Sequence, residues 1–114
     1  MKKKDVEKTL KKGVVTDTSY VRIYARLNTE TMDQKDIQVA AVVSKKIHAS
    51  AVQRHKYQRW IREVVRQQEE TLPGNLMLVL VAKPSIKTIN SLKQIQESVL
   101  SAFSAKDGFL RRLV

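Results

Sequence analysis

The chain has no cysteine, which excludes a disulfide framework and thiolate chemistry and suits a reducing compartment. Its three glycines stand singly, so there is no glycine-rich phosphate loop. Acids are scarce: 11 Asp and Glu face 22 Lys and Arg, and they form no carboxylate cluster suited to acid–base catalysis. No nucleophile is paired with a base in sequence, so no catalytic residue is assigned. The two histidines, His48 and His55, lie seven residues apart with no third ligand in view, so no metal site is expected. No apolar run exceeds Leu76 to Ala82, far short of the about 20 residues a membrane helix needs. The opening MKKKDVEKTLKKG lacks the apolar core of a signal peptide, and its acids argue against a transit peptide. The expectation is a soluble, cytoplasmic protein.

What is present is positive charge on a globular composition, 42% hydrophobic and 29% charged. At 114 residues the chain can build one core, and residues 1–114 read as a single domain without repeats, linkers or low-complexity segments. A formal net charge of +11 and a pI near 10.1 point to nucleic acid, with an anionic membrane surface as the lesser alternative.

Residues 44–66, SKKIHASAVQRHKYQRWIREVVR, concentrate that charge. Ser50 and Gln53 have the spacing of a capping box, the hydroxyl taking the Gln53 amide and Gln53 reaching back to the Ser50 amide, so a helix is predicted from Ala51. Tyr57, Trp60, Ile61, Val64 and Val65 recur at helical spacing and predict a buried arc. His55, Arg59, Arg62 and Arg66 form a second stripe, flanked by Arg54 and Gln58 and preceded by Lys45 and Lys46. A solvated helix face normally mixes Glu with its Arg, yet Glu63 is the only acid in this stretch. The stripe therefore reads as a ridge for phosphates, which guanidinium forks grip in pairs.

Taken in order, Lys3 to Lys12 predicts a short basic helix with Gly13 as its left-handed stop and only Val6 and Leu10 as an apolar edge. A disordered basic arm is the competing reading. Residues 14–16 give a brief strand. Residues 20–27 alternate, with Val21, Ile23, Ala25 and Leu27 on one face and Tyr20, Arg22, Tyr24 and Arg26 on the other. Rings interleaved with guanidinium groups suit stacking on unpaired bases, although β-propensity alone accounts for the same residues. A polar connection at residues 28–36 leads to an apolar strand at 37–43, and Pro73-Gly74 within residues 71–75 ends the central helix. Leu76 to Ala82 is apolar throughout, as in a central strand covered on at least one face. Ile89, Leu92, Ile95, Gln96, Val99, Leu100 and Phe103 predict a last helix packed on the sheet, and residues 105–114 a frayed basic tail. The order α-β-β-β-α-β-α makes an α+β sandwich of helices on one four-stranded sheet.

The run VVSKKIHASAVQRHKYQRWIREVVR resembles the signature of the bacterial ribonuclease P protein subunit, through Ser44, Lys45, Lys46, Ala51, Val52, Arg54, Arg59, Arg62 and Glu63. Gly13 after a basic helix, and Val-Ala-Lys-Pro at residues 81–84, extend the resemblance over nearly the whole chain. The resemblance implies a mixed sheet with a left-handed β-α-β crossover, against the usual right-handed rule, like that in the second domain of a small-subunit ribosomal protein. It implies a non-catalytic subunit that assists the catalytic ribonuclease P RNA in removing the 5′ leader of precursor tRNA. Magnesium would then enter through the partner RNA, with no cofactor held by the protein alone and no protein or membrane partner. RNA contacts carry over to Lys45, Lys46, Arg54, His55, Gln58, Arg59, Arg62 and Arg66. A leader-binding role falls to Lys3, Val6, Leu10, Tyr20 and Tyr24. The chain departs from the pattern at His55 and Gln58, where the family has Asn and Lys, and at Val6 and Leu10, where it usually has Phe. Those departures motivate an alternative, a general RNA- or ribosome-associated module of the same fold without a role in tRNA processing.

Overall fold

The computed structural model describes residues 2–28, 37–72 and 74–104, Ser104 by its backbone alone. Residues 29–36 of the polar connection, Pro73 and the basic tail at 105–114 lie outside the described residues. The elements are α1 (Lys3–Lys12), β1 (Val14–Asp17), β2 (Val21–Leu27), β3 (Gln38–Val42), α2 (Ala51–Arg66), β4 (Leu76–Ala82) and α3 (Leu92–Ser104). Short 3-10 segments at Glu69–Thr71 and Pro84–Thr88 flank β4. The expected order holds, and the four strands form one mixed sheet, β1-β2-β4-β3. β2 runs antiparallel to β1 and β4, while β3 and β4 are parallel, so α2 is the crossover between them.

β4 is apolar at every position because it sits inside the sheet and is covered on both faces. Leu76, Leu78, Leu80 and Ala82 stand in register with Leu27, Ala25, Ile23 and Val21. They join Tyr57, Ile61, Val64 and Val65 of α2 and Ile95 and Val99 of α3 in one core. Each fully buried Val, Leu or Ile here contributes about 1.5–3 kcal/mol. Strand alternation puts Met77 and Val79 on the opposite face, and they are as fully buried. Arg26, the register partner of Met77, donates to Thr9 Oγ1 of α1 at 3.3 Å, so α1 packs on that face. The sandwich therefore has three layers: α2 and α3, the sheet, then α1. Lys3–Lys12 is a docked helix, not an arm.

Four local expectations need correction. Gly13 does not adopt a left-handed conformation: its φ is −71° and ψ 157°. Glycine is required because a Cβ there would lie 2.5 Å from the Thr9 carbonyl oxygen and 2.8 Å from that of Ala25. α2 ends at Arg66, short of the Pro-Gly, with the Gln67 amide donating to the Glu63 carbonyl. α3 starts at Leu92, so Ile89, although buried, precedes it. Leu100 is 49% exposed rather than in the buried stripe, because it sits about 100° around the helix from Val99. Among the described residues no helix is long and apolar enough to cross a membrane.

Candidate nucleic-acid interface

α2 begins as its sequence predicts, with Ser50 Oγ accepting from the Gln53 amide at 3.4 Å. The reciprocal half of the capping box is made differently: the Ser50 amide donates to His48 Nδ1 at 3.0 Å, not to Gln53. Arg54 Nη1 donates to the carbonyls of His48 and Ala49, each at 3.0 Å. Ile47 is buried, and its amide closes a turn onto the Ser44 carbonyl at 3.0 Å. These contacts hold residues 44–50 against the helix start and leave Lys45 and Lys46 exposed beside it. Arg54 is thus partly engaged in holding the loop.

Along α2, His55, Arg59, Arg62 and Arg66 are all exposed, while Gln58 and Arg54 are half-buried. Arg66 pairs with Glu63 at 3.3 Å, and both are well exposed, so that pair contributes little. Arg59 and Arg62 make no hydrogen bond or ion pair among the described residues. Such cations on one rigid face repel one another in the absence of an anion, and neutralising them is what a phosphate backbone does.

Trp60 packs against the core as the arc predicts, but it is only partly buried. Its ring is edge-on to Tyr57 with centroids 5.9 Å apart and planes at 68°. Lys56 Nζ stands 5.1 Å from the centroids of both rings. Trp60 also lines a groove of roughly 480 Å³ between α2 and the start of α3, together with Arg59, Arg62, Glu63, Arg66 and Leu92. Sequence periodicity placed Trp60 on the core side, where it packs, but missed this groove, because Leu92 reaches it from an element far away in sequence.

The residues expected at a leader site divide. Lys3, Val6 and Leu10 lie on α1, and Tyr24 faces the same side of the sheet, half-buried. Tyr20 does not: it packs against the core on the α3 side, beside Gln94, Glu97 and Ser98. Alternation starts only at Val21, because Thr18 closes a turn there, its Oγ1 accepting from the Val21 amide at 3.1 Å. The guanidinium groups of the Tyr24 face are engaged internally. Arg22 binds Asp17 at 3.0 Å and, with help from Lys83, holds that carboxyl below its ordinary range. Arg26 reaches Thr9 and, at 3.9 Å, Asp5. A polar groove of roughly 410 Å³ at the α1–sheet edge gathers Lys2, Lys4, Lys8 and Arg26 around Asp5, with Lys3 outside it. The four-residue spacing of Lys4 and Lys8 was the available signal.

Fold and surface together define a small, strongly basic α+β sandwich that displays cations on a rigid helix, the layout of a polyanion-binding protein. Residues 1–106 match the family model described as Ribonuclease P. A curated relative, the Ribonuclease P protein component of Brevibacillus brevis, is 41% identical over 58 residues, covering 51% of this chain and 44% of that protein. The solved RNase P protein of Staphylococcus aureus superposes with a TM-score of 0.79 at 25% identity, covering 96% of this chain and 94% of that one. That of Thermotoga maritima shares the fold with a TM-score of 0.74 at 20% identity, covering 91% and 93%. The chain belongs to the ribonuclease P protein family.

Proposed function

We propose that this chain is the non-catalytic, RNA-binding subunit of ribonuclease P, assisting a catalytic RNA in removing the 5′ leader of precursor tRNA. The observation that carries the proposal is the exposed ridge of His55, Arg59, Arg62 and Arg66, with Lys45 and Lys46 at its N-terminal end. From His55 to Arg66 the ridge runs about 16 Å at 1.5 Å per residue, long enough to meet several backbone phosphates. The α1–sheet groove, with Lys2, Lys4, Lys8, Arg26 and neighbouring Tyr24, lies on the opposite side of the sheet and takes the single-stranded leader. One small protein thereby holds catalytic RNA on one face and substrate strand on the other. Among the described residues no three His, Cys, Asp or Glu side chains gather to hold a metal. The proposal leaves magnesium to the RNA.

Two measurements test this reading. If the ridge makes roughly five phosphate contacts, log K against log salt should slope about −4 to −5 on duplex-like RNA. A slope near zero would remove the ridge argument. Added to ribonuclease P RNA at low magnesium, the protein should stimulate precursor cleavage. RNA binding without stimulation would instead mark a general RNA-binding module of the same fold.

A further inference from the structure

We propose that the groove between α2 and the start of α3 is a nucleobase pocket, in which Trp60 stacks an unpaired base of a bound single-stranded RNA segment. The inference rests on the reading of α2 as an RNA-binding helix and specifies what its flank recognises.

The groove joins two chemistries: Trp60 and Leu92 give it an aromatic ring and an aliphatic chain, and Arg59, Arg62, Glu63 and Arg66 line it with them. Its volume of roughly 480 Å³ falls in the about 300–1,000 Å³ range of small-ligand clefts. The Glu63 carboxylate, paired with Arg66 at 3.3 Å, also lines it and offers an acceptor to the N–H edge of a base. Phosphates belong on Arg59 and Arg62, which line the groove and are exposed on the ridge. A nucleotide has this same division, a flat weakly polar base joined to an anion, so ridge and groove fit it in one orientation. Trp60 is also held in place: Tyr57 meets it edge-on and Lys56 covers part of it from outside the groove, so little ordering remains for the ligand to impose.

Trp60 is the only tryptophan in the chain, so its emission reports on the groove directly. The full chain is titrated with a short single-stranded oligoadenylate and, separately, with an abasic phosphodiester strand of the same length. Strand anisotropy and Trp60 emission are read together. Stacking predicts quenching that tracks oligoadenylate binding, with little change on the abasic strand. Trp60→Leu should weaken oligoadenylate binding about 5- to 150-fold and leave the abasic strand unaffected. If that variant does not fold, the fluorescence of the native chain still decides. Oligoadenylate binding with unchanged Trp60 emission, or equal quenching by the abasic strand, overturns the pocket while leaving the phosphate ridge standing. Failure of both strands to bind would overturn the ridge as well.

Discussion

Gly13 links α1 to the sheet, and replacing it tests what seats that helix. Gly13→Ala introduces no backbone strain, because φ −71° and ψ 157° are open to any residue. The added methyl is the whole perturbation. It would sit 2.5 Å from the Thr9 oxygen and 2.8 Å from the Ala25 oxygen, where contacts under 3.0 Å essentially never occur. Both are backbone atoms, one in α1 and one in β2 at the buried centre of the sheet, so neither can rotate aside. Helix or strand must move by several tenths of an ångström, an overpacking that costs about 1–3 kcal/mol. Lower entropy of the unfolded chain offsets about 0.4–1 kcal/mol of this. A net loss of about 1–2 kcal/mol lowers the melting temperature of a domain this size by about 4–8 °C. Thermal unfolding followed by circular dichroism measures it, and Gly13→Asn supplies the control. A left-handed stop would accept Asn more readily than Ala, whereas close approach makes the larger Asn at least as costly. An Ala variant melting at or above the parent, or an Asn variant clearly milder than Ala, would refute the argument.

Arg62 and Arg54 should behave oppositely although both belong to the basic helix. Arg62→Ala is expected to reduce the RNA salt slope by about 1 while changing stability by under about 0.5 kcal/mol. Arg54→Ala loses two bonds to the loop carbonyls and should cost about 1–2 kcal/mol in urea unfolding. Unfolding of the Arg62 variant would mean the ridge is structural. Gln68 is 8% exposed, and among the described residues neither of its side-chain amide atoms has a hydrogen-bond partner. Gln68→Met should therefore raise the urea midpoint, by about 1–3 kcal/mol in stability, and a lowered midpoint would show that the amide is satisfied. Asp17, held below its ordinary 3.8 chiefly by the hydrogen bond from Arg22, favours the folded state only while ionised. Its contribution is present above about pH 4 and lost as pH falls through the lowered native value. The melting-temperature gap between parent and Asp17→Asn should then close in strong acid, and an unchanged gap at about pH 2 would rule out the linkage.

Element order was legible in the residues because each signal is local. The run from Leu76 to Ala82 contains no polar residue, and the strand has those bounds. Ser50 three residues before Gln53 marked the start of α2, where it is observed. The division of α2 into Ile61, Val64 and Val65 inside and Arg59, Arg62 and Arg66 outside follows from helical period alone. The less legible residues were those whose surroundings come from distant parts of the chain. Tyr20 continues the alternation of β2 on paper, but the Thr18 turn directs it to the α3 side. Trp60 fits the apolar arc, yet its place at the arc's edge leaves it open to Leu92.

By itself, then, the sequence determined which segments become helix or strand, which side of α2 is wet, and that the wet side is cationic, since periodicity and charge belong to neighbouring residues. Tertiary structure alone decided that α1 takes the other face of the sheet, that Gly13 is needed for closeness rather than conformation, and that a ridge and a groove meet at Trp60. Alternation along a strand separates two faces but cannot say what covers either one; that depends on the path of the whole chain and on backbone atoms brought together from far apart in it.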